Sequence, residues 1–148
     1  MSISQNKYFN HLFFMSLAFS QARKIVGNTG TNPAVGCVVV KNGCVISSGH
    51  TSFNGRPHAE ANALIYKNKE KLKLSTIYVS LEPCSHQGKT PPCTKQIIKF
   101  SPKKVFYPIL DYDFRSKGKC KNILKSYKID VKIFKKYKFG QDFYKYYK

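Results

Sequence analysis

The sequence predicts an α/β chain with three layers, α/β/α, around a five-stranded mixed sheet. Residues 35–40 are an almost continuous valine-rich run, typical of a strand buried on both faces. Asn42-Gly43 follows directly, a strong short hairpin signal. After that hairpin, segments of helical and strand character alternate up to residue 134. Such alternation implies parallel strands joined by helices that cover both faces of the sheet.

The elements follow in order. Between residues 8 and 26, Leu12, Phe13, Leu17, Phe19 and Ala22 recur at helical spacing, and Gly27 is a natural stop. Residues 44–48 return from the turn as a second, antiparallel strand. Cys37 and Cys44 are expected to pack as small apolar side chains within this pair. Residues 59–69 read as a helix with Ala63 and Leu64 facing inward, and 76–81 (TIYVSL) as the third strand. A short helix is expected at 94–100, a strand at 104–110, a helix at 119–127 and a fifth strand at 129–134. The segment KKYKFGQDFYKYYK reads as either a short helix or an unstructured basic end. No repeat or glycine/serine linker divides the 148 residues. One domain is therefore expected over 1–148, with its core at about 8–134 and a basic tail at 135–148.

No apolar run reaches the roughly 18 residues needed to span a membrane. The greasy stretch LFFMSLAFS is short, lacks a basic leader and a small-residue cleavage site, and is followed by Arg23 and Lys24. The expected compartment is the cytoplasm, with no membrane partner. Five cysteines, an odd number without a secretion signal, argue for metal binding or chemistry rather than a disulfide framework. The net charge of +19 admits nucleic-acid binding through phosphates. Only three of the 26 basic residues are arginine, however, and Asn, Ile, Phe, Tyr and Lys abound. That is the signature of an AT-rich genome, so no nucleic-acid partner is expected.

LEPCSHQGKTPPC, residues 81–93, puts two cysteines at the ends of a polar, proline-stiffened loop, and PHAEANAL, residues 57–64, adds His58 and Glu60. His58, Cys84 and Cys93 are a nitrogen and two sulfurs, a set that suits one zinc ion per chain and leaves a fourth position open. A closed structural site would need Cys120 or His86 as fourth ligand. Pro57 and Pro92 stand where prolines open helices, and they stiffen the segments that carry the ligands. A carboxylate at Glu60, in the first turn after His58, can serve as general acid/base for a metal-activated water.

H-x-E followed by P-C-x-x-C is the signature of zinc deaminases. HAE and EPC match it, but here eight residues separate the cysteines instead of two. TNPAVGCVVV, PHAE and LEPCSHQGKTPPC together resemble the pyrimidine deaminase domain of the bifunctional riboflavin-biosynthesis deaminase/reductase, over about residues 8–134. The resemblance implies a cytidine-deaminase-like fold. It implies zinc on His58, Cys84 and Cys93, with Glu60 as the proton shuttle. It further implies that Asn32, His86, Lys89 and Thr90 hold the ring or the phosphorylated ribosyl group of a phosphoribosyl-pyrimidine. The implied reaction is hydrolytic deamination of 2,5-diamino-6-(5-phosphoribosylamino)pyrimidin-4(3H)-one. Three departures stand out. Thr31 replaces a common proline, and Thr51 stands where a substrate-facing histidine is usual, with His50 beside it. Residues 111–114 read Asp-Tyr-Asp-Phe in place of DPNP. The family's reductase domain is not in this sequence, so a separate reductase chain is a possible partner, as is a second copy of the chain. Two other readings stay open: a zinc deaminase acting on an RNA base, and a non-catalytic zinc-stabilised RNA-binding module.

Overall fold

The computed structural model describes residues 2–64 and 68–147. Helix α1 (Ile3–Arg23) opens with a capping box, in which the Ser2 hydroxyl accepts from Gln5 N while the Gln5 side chain accepts from Ser2 N. Its inward stripe is Met15, Ala18, Phe19 and Ala22, all buried at helical spacing. Phe13, expected in that stripe, is instead exposed.

Strand β1 (Gly36–Lys41) turns through Asn42 and Gly43, both at positive φ, into the antiparallel strand β2 (Cys44–His50). Positive φ at both central residues is the hairpin geometry that matches strand twist, and it accounts for the Asn-Gly pair. Cys37 is buried in β1, as expected. Cys44 is exposed, because it is the first residue after the turn on a strand at the edge of the sheet.

The remaining elements are α2 (Ala59–Leu64), α3 (Lys69–Leu72), β3 (Thr76–Val79), α4 (Cys93–Phe100), β4 (Lys104–Tyr107), α5 (Cys120–Ser126), β5 (Asp130–Ile133) and α6 (Lys138–Phe143). Of the helix expected at 59–69, residues 65–67 lie outside the described residues. The strands run in the order β2-β1-β3-β4-β5. The β1–β2 and β1–β3 pairs are antiparallel, whereas β3–β4 and β4–β5 are parallel. The expected five-stranded mixed sheet is thus present.

Two glycines fix the layers. A Cβ on Gly36 would fall 1.7 Å from the Ala18 carbonyl oxygen of α1, and one on Gly49 would fall 2.7 Å from Ala63 N of α2. Gly49 pairs with Cys37 and Gly36 with His50, so the two glycines project from opposite faces. One helix layer therefore holds α1, and the other holds α2 with α4 and α5, which contact one another in turn.

The segment expected as a basic tail is structured. Phe19 of α1 packs edge-on against Phe139 and Phe143, both at 5.2 Å, and lies 6.0 Å from Tyr144. Tyr144 is buried, so the core extends beyond residue 134. No described helix is long and apolar enough to cross a membrane.

Candidate active site

The site lies where β3 and β4 end and their following loops begin, the position in which open α/β sheets place ligands. Three segments meet there. The first descends from β2 through a 3-10 turn (Phe53–Gly55) to His58, whose carbonyl accepts from Asn62 N at 3.0 Å and so begins α2. Asn62 then ties this approach down, because its side-chain amide donates to His50 O at 2.7 Å and to Ser52 Oγ at 2.8 Å. The second segment leaves β3 through Glu82 and Cys84. The third is the start of α4, where Pro92 is the N-cap and Cys93 the first helical residue. The loop between the cysteines is closed at its base by Thr94 N donating to Cys84 O at 3.2 Å.

These segments bring together the three metal-ligating candidates from the sequence. Cys93 Sγ lies 3.4 Å and Cys84 Sγ 3.7 Å from His58 Nδ1, and the three donor atoms all fall within 4.8 Å of one another. A tetrahedral zinc with bonds of about 2.0–2.3 Å sets neighbouring ligands roughly 3.4–3.8 Å apart. The donor set and its spacing therefore fit one zinc ion. Among the described residues this is the one His/Cys/Asp/Glu group so arranged. Neither of the fourth ligands considered for a closed site joins it. His86 Nδ1 bonds Ser116 Oγ at 2.7 Å, and Cys120 is buried elsewhere against Tyr107.

Protonation follows from this proximity. The hydrogen bond from the Cys93 thiol holds Cys84 well below the usual thiol range, helped by His58 and by Cys93 N donating at 3.3 Å. Cys93 itself is held above that range by the same bond and by burial. The bond to Cys84 also raises His58. Glu60 is 3% exposed, and burial pushes its carboxyl up to about 7 against the opposing pull of His58. A carboxyl poised near neutrality can both take and return a proton.

His58, Glu60 and Cys84 line a cavity of about 550 Å3. Asn32 and His86 line it too. Asn32 is oriented by its amide nitrogen donating to Gly55 O at 2.9 Å. Lys89 is exposed and is not among the lining residues, while Thr90 lines a neighbouring cavity behind His58 and Cys93. Thr51 reaches the cavity, and its hydroxyl accepts from Val35 N at 2.9 Å. His50 does not, since its ring Nδ1 is engaged with the Thr51 carbonyl at 2.8 Å.

Several lining residues carried no signal in the sequence. Arg56, Arg115 and Tyr147 all border the cavity. Glu82 is buried, and its carboxylate accepts from the backbone N–H groups of Asp111, Gly118 and Cys120 at 2.9, 2.9 and 3.1 Å. It thereby pins the 111–120 loop beside Cys84. Ser116, at 0% exposure, extends the clamp by accepting from Ser85 N at 2.9 Å. Arg115 pairs with Asp113 through two nitrogens, which holds that carboxyl below its usual range. Burial pushes Asp111 up.

Comparison with known proteins adds sequence and structural likeness to this geometry. A family described as "Cytidine and deoxycytidylate deaminase zinc-binding region" matches residues 9–109. The riboflavin biosynthesis protein RibD of Aquifex aeolicus (strain VF5) is 44% identical over 120 residues, which are 81% of this chain and 33% of that protein. The chain thus spans about a third of the length of such relatives. The diaminohydroxyphosphoribosylamino-pyrimidine deaminase of Buchnera aphidicola subsp. Acyrthosiphon pisum (strain APS) is 40% identical over 123 residues, 83% of each chain. Among solved structures, the diaminohydroxyphosphoribosylaminopyrimidine deaminase/5-amino-6-(5-phosphoribosylamino)uracil reductase of Thermotoga maritima superposes with a TM-score of 0.85. It is 33% identical and covers 95% of this chain and 41% of its own.

Proposed function

The chain belongs to the cytidine and deoxycytidylate deaminase family, and on that footing we propose that it hydrolyses the 2-amino group of 2,5-diamino-6-(5-phosphoribosylamino)pyrimidin-4(3H)-one. Water enters, ammonia leaves, and the water oxygen stays as a new carbonyl on the ring carbon that bore the amine, giving 5-amino-6-(5-phosphoribosylamino)uracil. The observation that carries this reading is the convergence of His58, Cys84 and Cys93 on one point beside the buried carboxyl of Glu60. The names of the Buchnera and Thermotoga relatives supply the substrate class.

A zinc ion held by His58, Cys84 and Cys93 would supply the Lewis acidity that activates a water at neutral pH. Glu60 takes one proton from the attacking water and passes it to the ring nitrogen. It then takes the second proton, from the hydroxyl now on the ring carbon, and delivers it to the amine, which leaves as ammonia while the carbonyl forms. Its elevated pKa suits both directions of transfer. Asn32 and His86, on the cavity wall, orient the ring and ribosyl group by hydrogen bonds. Val35 and Leu81 on the same wall exclude water around the ring. The reading places the protein in the cytoplasm, where reducing conditions keep both thiols available for metal. It includes a reductase acting on the product, as in the Thermotoga relative, and self-association of the deaminase.

Ammonia release from the phosphoribosyl-pyrimidine tests the proposal. Chelation should abolish it and added zinc restore it. Undiminished release from metal-free protein would overturn the proposal.

A further inference from the structure

Among the described residues, one cation on the cavity wall has no ion-pair partner. Arg115 is committed to Asp113 through Nε at 2.9 Å and Nη2 at 2.5 Å. The His86 ring sits between Ser116 and Asp113, with Nε2 3.8 Å from the carboxylate. Arg56 is half-buried, lines the same cavity, stands two residues before His58, and forms no ion pair among the described residues. Its guanidinium lies across the loop between the two cysteines. Nη1 donates to Thr90 Oγ1, and a Cβ built on Gly88 would lie 3.4 Å from Nη2 and 3.7 Å from His86 Nε2. The guanidinium is therefore held in place with further N–H donors uncommitted.

We propose that Arg56 is the group that binds the phosphate of the substrate, rather than Lys89, which the resemblance counts among the residues holding the ring or the phosphorylated ribosyl group. A planar, permanently charged fork that can donate two parallel hydrogen bonds is the side chain best matched to a phosphate. Its latch to Thr90 pre-orients it, so little side-chain freedom remains to be lost on binding. Lys89 is exposed and off the cavity. The inference rests on the deaminase reading for its substrate, but the anion site itself is open to an independent probe.

The test compares zinc-loaded wild type, Arg56→Gln, Arg56→Lys and Lys89→Gln on the phosphoribosyl-pyrimidine and on its dephosphorylated counterpart. Ribose 5-phosphate binding is measured on each in parallel. Arg56→Gln is expected to lower the phosphorylated-to-dephosphorylated ratio of kcat/KM by about ten- to a hundredfold, the range for hydrogen bonds to a charged group. It should weaken ribose 5-phosphate to a similar degree. Arg56→Lys should fall between, and Lys89→Gln should change the ratio less than either. If Arg56→Gln slows both substrates equally, Arg56 merely latches the loop and the proposal is overturned. If Lys89 governs the ratio, the phosphate belongs to the loop lysine and the proposal is again overturned. If wild type deaminates neither pyrimidine yet binds ribose 5-phosphate through Arg56, the phosphate site stands and the deaminase reading falls. Should Arg56→Gln lose zinc or fold poorly, Arg56→Lys carries the same comparison, with an unchanged ratio counting against the proposal.

Discussion

Glu82 accepts three backbone hydrogen bonds with one buried carboxylate, and each bond leads into the loop that forms a wall of the cavity. Removing the acceptor leaves Asp111 N, Gly118 N and Cys120 N without their partner, and an unmet buried donor costs about 1–3 kcal/mol. Glu82→Ala should therefore destabilise the protein by about 3 kcal/mol and lower Tm by roughly 6–12 °C. It should also weaken substrate binding, because His86 and Asp113 ride on the same clamp. An unchanged melting temperature would show that the loop is held by other means. In the sequence Glu82 is one more acidic residue before a proline. Its part depends on three amides from 29 to 38 positions away, which no local pattern announces. His58, Cys84 and Cys93 were legible for the opposite reason, since thiols, imidazole and prolines in so polar a loop have few other uses.

Among the elements, α6 is the one for which the sequence left two readings, a short helix or an unstructured basic end, and it is a short helix. Its segment carries lysines and tyrosines with no clear apolar stripe, so no helical period stands out in the sequence. What orders it is tertiary packing. Phe19 is surrounded by Tyr137, Phe139, Phe143 and Tyr144, and the Tyr144 hydroxyl donates to Ala34 O at 2.8 Å while bonding Ser80 Oγ at 2.7 Å. Ser80 Oγ in turn accepts from Gly36 N at 3.0 Å, which joins the helix to the ends of β1 and β3. Tyr144→Phe keeps the ring and strips these bonds. The expected cost is about 1–3 kcal/mol in chemical denaturation, with the midpoint lowered and the slope retained. A midpoint equal to wild type would mean that α6 is held by its rings alone. The hairpin, by contrast, was legible in two letters, because Asn42 and Gly43 adopt the positive φ that their identities favour.

At the scale of the whole molecule, 26 basic against 7 acidic residues set the surface field. The described ion pairs involve partly or largely exposed groups, such as Lys138–Asp142 and Lys132–Asp130, and exposed pairs contribute little. Self-repulsion should then dominate, so raising the ionic strength from about 0.01 M to 0.2 M should raise Tm as screening shortens the reach of the charges. A falling Tm would place net attraction above repulsion. The proposed active site depends on the mixed sheet rather than on the net charge. The β1–β2 hairpin carries the approach to His58, while β3 delivers Cys84 at its end. That topology follows from the alternation of elements, and it places the ligands together without needing the surface at all.

In the proposed mechanism Glu60 moves protons for a metal held by three other side chains. The direct measurement is zinc content together with the rate of ammonia release for wild type and Glu60→Gln on the phosphoribosyl-pyrimidine. The predicted result is one zinc per chain in both proteins, with release slowed by about 10²–10⁴-fold in the variant. A variant that keeps its zinc and turns over at the wild-type rate would rule out that role for Glu60.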